Sequence, residues 1–280
     1  MRTISIFNHV LGPVMRGPSS SHTAGAFHIG SMARSILGGA PRRAVLAFDP
    51  AGSYAATYVQ QGADRAFAMG LMNRPLTDES FFTALEDAPA AGMDLRYEVR
   101  PLENSDHPNT TQLDLAAADG RKVCLVARSI GGGEVELTRI DGRPVLFNGT
   151  AYESLIEVPA AHAGAVEALL RGDGELLEQP AVARVGGVVR FTTRRKRAFV
   201  DGFAGKILSL DAAARVWQSA PVLFVQKGTP LFSSAAEMVR IAEERGHCLG
   251  RVALEHEAQL LGISEAEVMA EALRRYDIMV

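Results

Sequence analysis

The sequence predicts an α+β fold, and three observations carry that prediction. Helical spacing dominates residues 21–88, whereas alternating strand patterns joined by short turns fill residues 94–148. Residues 151–226 follow the order strand, helix, strand, strand, helix, strand, the βαββαβ arrangement of a small ferredoxin-like unit. Three amphipathic helices then close the sequence.

Residues 4–11 form a short strand or helix that ends at the Gly12-Pro13 turn. A helix over 21–37 has Ile29, Met32, Ala33, Ile36 and Leu37 at helical spacing and stops at Gly38-Gly39 and Pro41. Residues 43–48 read as a strand and Asp49-Pro50-Ala51-Gly52-Ser53 as a loop. Helix resumes from Tyr54 and continues through Ala66, Phe67, Met69 and Gly70 to Asn73-Arg74-Pro75. A further helix over 80–88 puts Phe81, Phe82 and Leu85 on one face, and residues 94–99 alternate as a strand. His107-Pro108-Asn109 is a loop, because proline biases its predecessor away from helix. Residues 111–116 and 122–128 pair as a hairpin across Ala118-Asp119-Gly120, and 135–140 pair with 144–148 over Asp141-Gly142.

In the second stretch, 152–158 is a strand and 161–170 a helix ended by Gly172. Residues 182–193 are strand, interrupted at Gly186-Gly187; 202–217 are mixed or helical, and 221–226 form the last strand. The closing helices cover 233–245, 251–261 and 264–279. The last opens with a capping box, Ser264-Glu265-Ala266-Glu267.

With 280 residues, 47% hydrophobic and 22% charged, the chain is long enough for one large or two modest cores. A net charge of −3 leaves no nucleic-acid footprint. Arg194-Arg195-Lys196-Arg197 reads as a solvated turn or strand edge, with an anion patch as the alternative. No apolar stretch approaches the ~20 residues of a membrane span. Met1-Arg2-Thr3-Ile4-Ser5-Ile6-Phe7 is too short and polar for a signal peptide, so the cytoplasm is the expected compartment. The two cysteines, Cys124 and Cys248, are expected as free thiols. The histidines outside the motifs, His9, His28, His162, His247 and His256, have no metal-ligand spacing, and no metal site is expected on this chain.

Gly17-Pro18-Ser19-Ser20-Ser21-His22-Thr23 is the segment that points to chemistry. Gly-Pro sets a turn, and five hydroxyl or imidazole side chains follow it into a helix start. Free N–H groups and the macrodipole there favour a carboxylate or phosphate, and serine hydroxyls add donors. An ordinary N-cap would need only Ser21 or Thr23.

The run Gly12-Pro13-Val14-Met15-Arg16-Gly17-Pro18-Ser19-Ser20-Ser21-His22-Thr23-Ala24-Gly25-Ala26 resembles the opening of the β chain, or β domain, of the iron–sulfur L-serine dehydratases. His107-Pro108-Asn109-Thr110 and Ser129-Ile130-Gly131-Gly132-Gly133-Glu134 resemble further motifs of that family, in the same order. The resemblance covers residues 1–148. It implies a serine dehydratase β-type domain over 1–148, a small α+β unit over 151–230, and helices over 231–280 similar to the start of the family's α chain. The middle unit resembles a regulatory ACT-type domain, although Ala160-Ala161-His162-Ala163-Gly164 replaces that domain's usual Asp-x-Pro-Gly turn.

By resemblance, the activity is loss of water and then ammonia from L-serine, or a related β-hydroxy amino acid, to give pyruvate. The cofactor is a [4Fe–4S] cluster on a partner α chain bearing the cysteines. Such a cluster needs three or four thiolates, more than this chain has. The other expected partners are the small-molecule substrate and, as an open alternative, further copies of this chain. The resemblance places Ser19, Ser20, Ser21, His22 and Thr23 on the substrate carboxylate or ammonium, and the near-neutral pKa of an imidazole suits His22 to orient or shuttle a proton as a catalytic group. Ser53 and Asp64 keep their family identities, Ser53 at the substrate and Asp64 among the catalytic groups. His107 and Asn109 match a motif tied to an effector. The chain departs from the family at Gln61 and Ala63, where a histidine and a threonine are usual, and Gln61 is expected to bind substrate at the histidine's position. Glutamine cannot act as a base at neutral pH. A rival reading follows: a non-catalytic small-molecule-binding module that has lost the base at Gln61.

Overall fold

After Arg43, the strand Arg43–Phe48 (β1) carries only apolar side chains, and each of them is buried. A strand without a polar face belongs inside a sheet. In the computed structural model, which describes residues 3–103 and 105–280, β1 lies second in a six-stranded sheet of order β2-β1-β3-β4-β5-β6. The others are β2 (Asp94–Val99), β3 (Thr110–Ala116), β4 (Lys122–Gly131), β5 (Glu134–Ile140) and β6 (Arg143–Phe147). β1 pairs parallel with β2, and the remaining pairs are antiparallel. Both hairpins read from the sequence are present.

The predicted helix over 21–37 forms as two joined pieces, a π-helical turn Ser21–Gly25 and the α-helix Ala26–Leu37 (α1). A short helix Ser53–Thr57 (α2) and the helix Ala63–Met72 (α3) follow β1, and Ala84–Ala90 (α4) precedes β2. α1 and α3 cross at two glycines. A Cβ on Gly30 would lie 2.7 Å from the Phe67 carbonyl oxygen, and one on Gly70 would overlap the backbone of Phe27. The core under these helices holds Ile29, Met32, Leu46, Phe48, Tyr54, Phe67, Leu113 and Leu125, all essentially buried.

The second sheet has the order β10-β7-β9-β8, from β7 (Tyr152–Pro159), β8 (Ala181–Val185), β9 (Val188–Arg195) and β10 (Arg215–Ser219). Helices Ala163–Leu170 (α5) and Phe203–Leu208 (α6) complete the βαββαβ order, with Ile156, Val166, Phe191 and Ile207 in a core of their own. All its pairs are antiparallel, as in a ferredoxin-like unit. The last strand differs from the sequence expectation. It is 215–219 rather than 221–226, because Val216 and Trp217 pair with Ile156 and Leu155. The backbone N–H groups of Val222 and Phe224 go instead to the Gly149 carbonyl and the Asn8 side chain.

Arg195 also differs from the solvated edge expected of its basic run. It is buried, bidentate to Asp173 at 2.7 and 3.0 Å, and stacked on Phe199.

The chain forms two compact units. Met15–Val222 holds both sheets, and Met1–Val14 joins Leu223–Val280. In the second unit, helices Ala235–Arg245 (α7), Leu249–Leu261 (α8) and Glu265–Met279 (α9) follow one another. Residues 4–11, read as strand or helix, contain a π-helical turn, Ile6–Val10. Glu257 of α8 is fully buried and accepts the Ser5 hydroxyl at 2.6 Å and the N–H groups of Ile6 and Phe7 at 2.7 and 3.0 Å. Arg275 of α9 donates to the carbonyls of Phe7 and Gly12. The capping box at Ser264 and Glu267 is formed. Met1 and Arg2 of the N-terminal stretch lie outside the described residues.

Candidate functional site

Strand register brings the motifs to one end of the first sheet. Phe48, which ends β1, pairs with Thr111 near the start of β3, and Thr111 pairs with Ala127 near the end of β4. The loop leaving β1 toward Ser53, the loop entering β3 through His107–Asn109, and Ser129 therefore meet at the same edge. The π-helical turn carrying His22 packs onto this end. Gly25 is the point of closest approach, since a Cβ there would overlap Ser129. π-turns of this kind recur at functional positions because the extra residue re-aims side chains.

His22 is buried and hydrogen-bonded at both ring nitrogens. Ser19 Oγ lies 3.0 Å from Nδ1, and Thr57 Oγ1 lies 2.8 Å from Nε2. Tyr54 stands edge-on to the ring at 4.9 Å and donates its hydroxyl to the Ser21 carbonyl at 2.8 Å. Burial holds His22 below its ordinary imidazole range, and a hydrogen bond to the Ser53 backbone opposes that shift. The ring is therefore neutral near pH 7. Burial raises Tyr54 well above the ordinary phenol range, so it stays protonated, with Ser129 as a side-chain partner.

Three loops are tied together around this histidine. Ser53 donates its N–H to the Pro108 carbonyl at 2.7 Å. Ser129 donates its N–H to the Asn109 carbonyl at 3.2 Å, and the Asn109 amide nitrogen reaches the Ser129 carbonyl at 3.5 Å. Asn109 Oδ1 is buried without a hydrogen-bond partner among the described residues. His28 is enclosed on α1, with Nδ1 2.7 Å from the Gly133 carbonyl oxygen, and so anchors the triglycine segment.

The expected site residues thus divide. Ser19, Ser20, Ser21, His22, Ser53 and Asn109 lie on segments brought to one sheet end. Thr23 turns inward and donates to the Ser19 carbonyl at 2.9 Å. The ring of His107 accepts the Asn109 N–H at 3.1 Å, a local loop contact. The Asp64 carboxylate accepts the Arg65 N–H at 2.8 Å, while burial raises its pKa, and it makes no hydrogen bond to His22. Gln61 lies half-buried one turn beyond Thr57 and donates its backbone N–H to the Thr57 carbonyl.

No family model matches the sequence. Two curated relatives do. The chain is 40% identical over 149 residues to the "Probable L-serine dehydratase, beta chain" of Bacillus subtilis (strain 168), a match covering 53% of this chain and 66% of that one. It is 29% identical over 206 residues to the "L-serine dehydratase, beta chain" of Peptoniphilus asaccharolyticus, covering 72% of this chain and 92% of that one. Both relatives are L-serine dehydratase β chains by name, and the chain is similar to them. Its match spans just under two thirds of the first relative's length.

Thr57 and Tyr54 contact His22 in this candidate site, and sequence reasoning missed both. The available signal was spacing: Thr57 follows Ser53 by one helical turn, which stacks the two on one face. The cysteines of this chain do not fit a thiolate-held cluster. Burial, with Asp114 beside it, pushes the Cys124 thiol up to about 12, and exposed Cys248 belongs to the other compact unit. The described residues include no group of three or more His, Cys, Asp or Glu placed to hold a metal. No helix among them is long and apolar enough to cross a membrane.

Proposed function

We propose that this β chain works with a cysteine-bearing α chain as an L-serine dehydratase, converting serine to pyruvate and ammonia, with a [4Fe–4S] cluster held by the partner. The supporting observation is the convergence of the hydroxyl-rich turn, the Ser53 loop and Asn109 around a neutral, doubly hydrogen-bonded His22. Ser20 and Ser21 supply hydroxyl donors for the substrate carboxylate at a helix start, while the Ser19 hydroxyl faces His22. His22, uncharged, is the group assigned to the α-proton, a task of general base catalysis. Asp64 has its contacts at the start of α3 and is assigned to holding that helix. Asn109 Oδ1 is the acceptor left for an N–H or O–H of substrate or effector.

Co-purification with the α chain and a pyruvate-release assay test this reading. The complex should turn over L-serine, and His22→Gln should lower kcat by roughly 100-fold or more, the usual weight of a general base. A complex that releases no pyruvate, or His22→Gln with unchanged turnover, would overturn it. Gln61, in place of the family's histidine, favours a second reading as a binding module. In that case serine would bind to the complex without being consumed.

A further inference from the structure

The hydrogen bonds around His22 fix which ring nitrogen carries the proton. Thr57 has one hydroxyl proton, and the Ser53 carbonyl oxygen takes it at 2.6 Å. Thr57 Oγ1 also lies 2.8 Å from His22 Nε2, so the proton in that contact must come from the ring. On the other side, Ser19 Oγ accepts the His22 backbone N–H at 3.3 Å and keeps its own proton for Nδ1, 3.0 Å away. The Thr57 side sets the tautomer, with the proton on Nε2 and the lone pair on Nδ1, and the Ser19 hydroxyl is free to donate to that lone pair.

We propose that Thr57 is a positioning residue that locks His22 in the Nε2–H tautomer, making Nδ1, through Ser19, the proton-accepting end of the site. The proposal deepens the dehydratase reading and rests on it for the identity of the substrate. In the elimination, the substrate Cα–H bond breaks and its proton bonds to Ser19 Oγ, while the Ser19 proton moves to His22 Nδ1. The C–H electron pair becomes the Cα=Cβ bond, and the Cβ–O bond breaks with its pair on the departing hydroxide. The imidazolium that forms keeps its Nε2–H on the Thr57 oxygen already in place. A base oriented by a third group is the arrangement that activates hydroxyls in unrelated enzymes. It also supplies a proton acceptor in a chain whose residue 61 is glutamine.

The test has two arms. In the first, long-range proton–nitrogen NMR correlations are recorded on the full-length ¹⁵N-labelled chain, with His22→Gln used to assign the signals. Wild type should show a protonated Nε2 and a pyridine-like Nδ1. Thr57→Val should give a mixture of tautomers, and Thr57→Ser should restore the wild-type pattern. In the second arm, the complex with the α chain is assayed. Thr57→Val should lower kcat about tenfold or more with KM within about twofold, and Thr57→Ser should recover most of the loss. A wild-type ring protonated on Nδ1 overturns the proposal, as does a Thr57→Val variant with unchanged tautomer and kcat. If Thr57→Val does not fold, the wild-type and Thr57→Ser spectra still decide. If no serine turnover is found at all, the dehydratase reading fails while the NMR arm still judges the tautomer.

Discussion

His22 and His28 sit on one helical run and meet opposite surroundings. His22 touches hydroxyls on both sides, whereas His28 is fully enclosed, and burial pushes its pKa from 6.5 down to about 4 despite the hydrogen bond to Gly133. A folded value below the unfolded one means that the unfolded chain binds more protons between about pH 6.5 and pH 4. The stability associated with His28 is therefore complete above pH 6.5 and lost as the pH falls toward 4, by about 3 kcal/mol in all. Urea unfolding of wild type and His28→Gln at pH 7.5 and pH 4.5 checks this, since Gln can still donate to the Gly133 carbonyl. Wild type should lose about 2–3 kcal/mol more than the variant over that interval. The buried carboxyls of Asp64 and Glu153, whose pKa values are raised by burial, act with the opposite sign and cancel in the comparison. Equal losses in the two proteins would remove His28 from the account. At this scale the sequence announced His22, because five polar residues in a row have no use in a core. It hid Thr57, because Tyr54-Ala55-Ala56-Thr57 reads as an ordinary helix start.

At the scale of elements, two glycines on helices show how the same substitution changes sign with surroundings. Gly70 lies where α3 crosses α1, and a Cβ there would overlap the Phe27 carbonyl and crowd the Ser31 N–H at 2.8 Å. Gly164 in α5 has nothing within 4 Å of a Cβ position. Gly70→Ala should therefore destabilise the chain by about 1–3 kcal/mol through overpacking. Gly164→Ala should stabilise it by about 0.5–1 kcal/mol through reduced freedom of the unfolded chain. Urea or thermal unfolding of the two variants reads both signs, and a stabilising Gly70→Ala would show that the helices can separate freely. Elements whose cause is local were legible in advance. The Asp141-Gly142 turn supplies two residues of positive φ, 48° and 76°, and the hairpin follows from them. The strand Arg215–Ser219 has no such local cause. It is a strand because β7 pairs with it, and a five-residue Arg-Val-Trp-Gln-Ser segment carries too little alternation to say so.

At the scale of the whole molecule, the pairing of Ser5 with Glu257 and of Phe7 with Arg275 lay beyond sequence reading, since contacts between chain ends leave no periodicity. The cysteines bear on a larger question, which chain of the proposed pair would carry the cluster. A cluster held by thiolates needs three or four of them in one place, each deprotonated. Cys124, with its thiol pushed up to about 12, is a protonated strand residue at neutral pH, and Cys248 stands alone in its unit. The isolated chain, reconstituted anaerobically with iron and sulfide and then desalted, should keep no stoichiometric iron and show no thiolate-to-iron absorption in the visible range. The same treatment of the complex with the α chain should yield both. Cys124→Ser and Cys248→Ser should leave the cluster content of the complex unchanged, because neither thiol is asked to ligate. Stoichiometric iron on the isolated chain, lost when either cysteine is replaced, would move the cluster onto this β chain and reverse the division of labour proposed for the pair.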